Sequence, residues 1–233
     1  MKKAVLFPGH LLPVMISHSG AIRAVEAALK DDGKVFVAAR MSDSEETSPE
    51  NLAATGVIAK LGMVNRGMNG MSMILQGKKR AHAARYAQED GYLTARINTI
   101  AQRPPIDPDN PAFKALFEEL RERARELGEL YEVPKEAVAQ VVDSDKKPGA
   151  FADQVAGFLD LPLVEKLELL ETFDVEQRMR KILVHIQHRI DMLAAQKQIR
   201  SQVQERLGER QREMYLREQL KAIQKELGDG DDQ

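Results

Sequence analysis

The chain has no cysteine, which removes disulfides and thiolate metal sites together and is compatible with any redox compartment. Nowhere does it gather about 18 consecutive apolar residues, so the sequence offers no membrane span. Neither sign of charge dominates: 34 Lys and Arg against 36 Asp and Glu leave a formal net charge of -2, with no global attraction to nucleic acid. Complete catalytic motifs are missing as well. GMSMILQGKK (70–79) comes nearest to a phosphate-binding loop, but six residues separate its glycines where four are needed, and Lys79 stands where Ser or Thr should follow Lys78. GMSMI (70–74) fails as a nucleophile elbow because Ile74 replaces the second glycine. His185, His188 and Asp191 have a spacing that could hold a metal, yet on a long helix such a set is more often a solvated polar face. No catalytic, metal or cofactor site is therefore expected.

The opening MKKAVLFPGHLLPVMI has two lysines before an apolar segment, as a signal peptide would. Pro8, Gly9, His10 and Pro13 interrupt it and no small-residue cleavage site follows, so it reads as strand, turn, strand in a cytoplasmic protein. A hydrophobic share of 43% with 30% charged residues describes a folded, soluble chain. Its 233 residues suffice for one large domain or two small ones.

Residues 1–102 read as a β-rich lobe. Val5–Phe7 and Leu11–Ile16 are short apolar runs split by Pro8-Gly9, and Ser19 can cap a helix with Ile22, Val25, Ala28 and Leu29 on one face. Asp32-Gly33 ends that helix. VFVA (35–38) reads as a buried strand and MSDSEETSPEN (41–51) as a polar loop. VIAKLGMV (57–64) and MSMILQ (71–76) flank NRGMNG, a hairpin turn in composition. Two further strands are expected at 80–86 and 92–100. Five or six short strands with one helix make a small curled sheet or open barrel.

RPPIDPDNP (103–111) holds four prolines in nine residues and reads as a linker. Residues 112–173 then form a helical lobe of four short helices, with Pro134, Pro148 and Pro162 at helix entrances. Asp174 can cap a fifth helix that nothing interrupts until Gly228, about 80 Å at about 1.5 Å per residue. Ile182, Leu183, Ile186, Ile190 and Leu193 should pack its first third on the lobe. The remainder carries a thin stripe at Ile199, Val203 and Leu207, then Leu216, Leu220, Ile223 and Leu227 beside Tyr215. That part should project, with Gly208 a site for a kink, and 229–233 should form a flexible acidic tail. A stripe so thin falls short of sustained heptads, so the chain is expected to be a monomer or weak dimer. The fold class is thus α+β.

Met63, Met68, Met71 and Met73 share one predicted hairpin. Exposed thioethers adapt to many apolar partners, whereas Met71 and Met73 alternate onto one face and are expected in the core, with Met68 exposed. Lys78, Lys79, Arg80 and Arg85 form a basic cluster with only Tyr86 as an aromatic neighbour. A solvated strand edge explains them better than nucleic-acid binding.

Several segments resemble a known family: VLFPGHLLPV, AARMSDSEE after VFVA, GVIAKLGMV, QGKKRA, PGAFADQVAGFL, LPLVEKLELLETFDVEQRMRKIL and above all QREMYLREQLKAIQKELGDGDD. Together they are similar to the amino-terminal region of Lon, the ATP-dependent protease, across essentially the whole chain. Met214 departs from the family's second Tyr, and MKKA replaces a longer first strand. The resemblance implies a PUA-like β lobe, a helical lobe and a long helix leading towards an AAA+ ATPase module that uses ATP and Mg. It also implies a peptidase module with a Ser-Lys dyad beyond this segment, and a homohexamer in protein quality control and stress response. For the segment itself it implies a non-catalytic role in recognising unfolded or damaged proteins. Phe7, Leu11, Leu12, Met63 and Met68 are then the candidates for client contact, being short apolar runs beside turns. Tyr215, Leu216, Leu220, Ile223 and Leu227 are candidates for contact with the ATPase module or a neighbouring subunit. A structural or nucleic-acid-binding module, with a PUA-like sheet and a coiled-coil helix, is the alternative.

Overall fold

A computed structural model describes residues 4–41, 48–144 and 146–228, with side chains as far as Lys225. The expected acidic tail, Leu227 and residues 42–47 of the polar loop lie outside the described residues or side chains. The described chain divides into two units, residues 1–186 and 187–233. Among the described residues no helix is long and apolar enough to cross a membrane.

The first unit is organised around two long strands, β3 (Leu52–Gly67) and β4 (Gly70–Glu89), joined by the tight turn at Met68-Asn69. β4 carries β3 along one side. Its other side is shared by β1 (Leu11–Ile16), paired with 71–76, and β5 (Tyr92–Thr99), paired with 81–89. β2 (Lys34–Arg40) completes the sheet against β3, and all these pairings are antiparallel. The two strands expected at 71–76 and 80–86 are therefore one. Gly77 is where they join: its N–H donates to His10 O at 2.9 Å and its carbonyl accepts from Gly9 N–H at 2.9 Å. A Cβ on Gly77 would stand 2.2 Å from Phe7 O, so only glycine lets the Phe7–His10 turn sit this close to β4.

That turn corrects another expectation. Val5–Phe7 is not a strand; Leu6 and Phe7 are an apolar plug buried ahead of Gly9, which turns the chain at φ 82°. The helix α1 (Ser19–Lys30) is capped by His18 rather than Ser19, the imidazole accepting from Gly20 N–H at 3.2 Å. The basic cluster is also not an edge. β4 is an interior strand and Arg80 is buried, while Lys78, Lys79 and Arg85 stay exposed.

The helices follow the punctuation of the sequence. α2 (Pro111–Leu130), α3 (Lys135–Val142), α4 (Pro148–Phe158) and α5 (Leu163–Glu171) start at or just after a proline. Asp174 caps α6 (Val175–Gly228), its carboxylate accepting from Gln177 N–H at 2.9 Å. In the first unit α6 buries Val175, Met179, Ile182 and Ile186, spacings that keep one face inward. In the second unit α6 runs unbroken through Gly208, and from Asp191 to Lys225 every side chain except Leu193 is exposed.

Strands and helices of the first unit are joined by a buried charge cluster. Arg80 on β4 grips Asp153 on α4 through both guanidinium ends, Nη1 at 2.7 Å and Nη2 at 2.6 Å, and its Nε donates to Leu170 O at 2.8 Å. Arg178 on α6 approaches the same carboxylate through Nε at 3.1 Å. Its terminal nitrogens donate to Thr172 O, Gly149 O and the Gln102 side chain. Arg103 docks beside them, its N–H on Phe173 O and its carbonyl receiving Val175 N–H.

Candidate functional site

Register decides which apolar side chains reach the surface. β1 places Leu11 opposite Gln76, Pro13 opposite Ile74 and Met15 opposite Ser72; β3 places Lys60, Gly62 and Asn65 opposite those same β4 residues. Directly opposed residues share a face, so the outer face reads as three rows: Leu11–Gln76–Lys60, Pro13–Ile74–Gly62 and Met15–Ser72–Asn65. The alternate residues, Leu12, Val14 and Ile16, oppose Leu75, Met73 and Met71 on the inner face. There Met71, Met73 and Leu75 are core, as their alternation predicts.

Leu11 is 62% exposed and Met15 78% exposed. Between Gly62 and Asn65 the ladder slips, so Met63 and Val64 oppose Met73 alone. This is a β-bulge, and Met63 takes φ 48° within it. Bulges re-aim side chains, and Met63 is 77% exposed. Met68 stands fully exposed on the hairpin turn. β1 ends at Ile16, opposite Met71, which brings Met15 to the same end of the sheet as Met63 and Met68. Pro13 lies in β1, which pairs only with β4 among the described strands; lacking an N–H, it limits uncontrolled strand addition.

The five candidates thus fall into distinct places. Leu11, Met63 and Met68 are surface apolar groups. Leu12 is half-buried on the inner face. Phe7 is completely buried under β4, because the Gly77 approach draws its turn inward, so it offers no surface. Met15, Pro13 and Ile74 join the outer face; LLPVMI is apolar at every position, so the side of β1 that faces out follows from its register on β4 and not from the sequence. In the second unit Tyr215, Leu216, Leu220 and Ile223 are all exposed, with Gln219 Nε2 donating to Tyr215 Oη at 2.9 Å. His185 Nδ1 lies 3.4 Å from Glu165 Oε2. Among the described residues no group of three or more His, Asp or Glu is arranged to hold a metal.

Burial moves two titratable groups of the first unit far from their ordinary values. Burial pushes the Tyr86 phenol up to about 12, and its hydroxyl donates to Ala53 O at 2.7 Å. Burial lowers Arg178 to about 10 against the opposing pull of Asp153. The outer face thus presents the exposed apolar side chains of Leu11, Met15 and Met63 among the polar ones of Lys60, Ser72, Asn65 and Gln76.

Known proteins share this architecture. Residues 1–188 match the family model described as the ATP-dependent protease La (LON) substrate-binding domain. "Lon protease 1" of Sorangium cellulosum is 40% identical over 236 aligned positions, covering 100% of this chain and 29% of that protein. "Lon protease" of Methylocella silvestris is 36% identical, covering 97% and 28%. The chain therefore spans less than a third of the curated relatives it matches. The solved amino-terminal domain of Mycobacterium avium complex Lon protease superposes with a TM-score of 0.64 at 25% identity, over 80% of this chain and 95% of that one. The amino-terminal domain from Xanthomonas campestris shares the fold, with a TM-score of 0.56 at 16% identity. With the antiparallel sheet, the helices after it and the long last helix all accounted for, the chain belongs to the Lon family as an amino-terminal substrate-binding domain.

Proposed function

We propose that this domain recognises unfolded or damaged proteins without catalysing their cleavage, and that the outer face of β1, β4 and the β3 bulge is where it touches them. The observation that carries the reading is the grouping of Leu11, Met15, Met63 and Met68, each more than 60% exposed, on one stretch of sheet and its hairpin tip. Three of the four are thioethers, which mould to varied apolar partners. Individual contacts would be weak, and a homohexamer would multiply them through effective concentration. ATP with Mg and a Ser-Lys peptidase would act in other modules of a cytoplasmic full-length protein. The exposed stripe at Tyr215, Leu216, Leu220 and Ile223 would meet the ATPase module or a neighbouring subunit.

The test is a nuclear magnetic resonance titration of the 233-residue chain with casein as an unfolded client. Shifts should concentrate at Leu11, Met15, Met63 and Met68, and replacing all four by Ser should weaken binding about tenfold or more. Shifts confined to α2–α5 would overturn the assignment.

A further inference from the structure

A second feature of the first unit lies on the inner side of the sheet. Between α1 and strands β2, β4 and β5 is a half-open pocket of about 1360 Å³, lined by apolar residues such as Val14, Phe36 and Leu93 and by polar ones such as His18, Gln88 and Thr94. Arg40 also lines it. The residue is more than nine-tenths buried, and among the described residues its Nε and Nη2 make no hydrogen bond. This guanidinium differs in kind from the other buried arginines, since Arg80 and Arg178 both face Asp153. The other charged residues of the lining, Asp31, Asp32 and Lys34, are exposed, and the last two are paired at 2.6 Å. Arg40 is therefore the buried charge of a largely apolar, half-open pocket.

Burying a cation without a counter-ion is unfavourable, and an anion brought to it regains the lost interactions. Apolar walls around one guanidinium select a ligand that is apolar apart from a single carboxylate. The pocket is wide and open to solvent along one side, which lets a chain end of several residues lie in it rather than requiring a ligand small enough to be enclosed. A polypeptide terminus can enter with its carboxylate leading, whereas an internal acidic residue must bring two chain arms through the opening. We infer that Arg40 reads the free C-terminal carboxylate of client polypeptides whose last residues are apolar. This deepens the client-recognition reading above and rests on it.

A fluorescein-labelled pentapeptide ending in Leu-Val-Leu, as free acid and as amide, tests the inference by anisotropy on the 233-residue chain. The acid should bind about tenfold or more tightly than the amide, as expected for a charge-assisted hydrogen bond. Arg40→Gln should abolish that preference, and Arg40→Lys should restore part of it. Casein binding, measured alongside, should survive Arg40→Gln. Equal binding of acid and amide, or a preference unchanged in Arg40→Gln, overturns the Arg40 assignment; retained casein binding then leaves the outer-face reading standing. Binding of dodecanoate but of neither peptide overturns the polypeptide source. Failure of casein and both peptides to bind overturns both readings.

Discussion

Asp153→Asn preserves the size of the side chain and removes the one negative charge between two buried guanidinium groups. In the native structure that carboxylate takes two bonds from Arg80, at 2.6 and 2.7 Å, and an ion pair from Arg178 at 3.1 Å. Burial already pushes the Arg178 guanidinium down to about 10; Asp153 opposes that push and the positive Arg80 adds to it. Without Asp153, burial and the repulsion of Arg80 are opposed only by Asp174, the weakest of the four influences. Breaking a single buried ion pair costs about 3–5 kcal/mol, and since one carboxylate here serves two cations, the upper part of that range, about 4–5 kcal/mol, is expected. For a unit of this size, about 2–4 °C per kcal/mol converts that loss to a fall in melting temperature of about 8–20 °C. Urea unfolding should show the midpoint falling with an unchanged slope. The triple replacement Arg80→Met, Asp153→Leu, Arg178→Met should recover most of the loss, because a well-packed apolar set replaces a buried ionic one at little net cost. A loss below about 1 kcal/mol in Asp153→Asn would refute the view that this cluster joins the strands to the helices.

Other consequences are equally measurable. Gly77→Ala places a Cβ 2.2 Å from Phe7 O and should destabilise by about 1–3 kcal/mol, read by thermal melting and by loss of amide-exchange protection around His10. Tyr86 should ionise near 12 rather than near 10, and Tyr86→Phe should delete that late step from an ultraviolet phenolate titration. The sign follows from proton counting: between about pH 10 and 12 the folded chain holds a Tyr86 proton that the unfolded chain releases. Its contribution to stability is thus complete below pH 10 and lost as pH rises through 12. Replacing Leu216 and Leu220 by Asp should leave the melting of the first unit unchanged, because both side chains are exposed; if the stripe meets a neighbouring subunit as proposed, the same change should weaken self-association measured by sedimentation.

The helical part was legible because its signals are local. Pro134, Pro148 and Pro162 mark helix starts whatever lies around them, and Asp174 caps α6 by a bond to a residue three positions on. The sheet was less legible because its decisive contacts are distant in sequence. Gly77 looks like the end of a strand until Phe7–His10 is seen to pack on it, and the same contact turns Phe7 from a surface candidate into core. Of the candidate site, alternation located Met71 and Met73 in the core and the hairpin turn located Met68, whereas LLPVMI is apolar throughout and only its register on β4 separates exposed Leu11 and Met15 from half-buried Leu12. The bulge that exposes Met63 leaves no mark in VIAKLGMV, since it depends on how β3 meets β4.

Buried arginines were the least legible feature, because nothing in KKR or AAR distinguishes a solvated cation from a desolvated one. The structure separates two kinds, and a matched pair of substitutions should show it. Arg80→Gln leaves Asp153 with one cation and removes a bidentate pair at 1% side-chain exposure, which should cost about 3–5 kcal/mol. Arg40→Gln removes a buried guanidinium whose Nε and Nη2 lack partners among the described residues, so its desolvation cost disappears. The expected result without ligand is a gain of about 1 kcal/mol or more. Parallel urea curves should therefore move in opposite directions for two substitutions of identical chemistry. If Arg40→Gln destabilised the chain as much as Arg80→Gln, Arg40 would already hold a partner within the protein, and the cavity would have no free charge with which to bind a carboxylate.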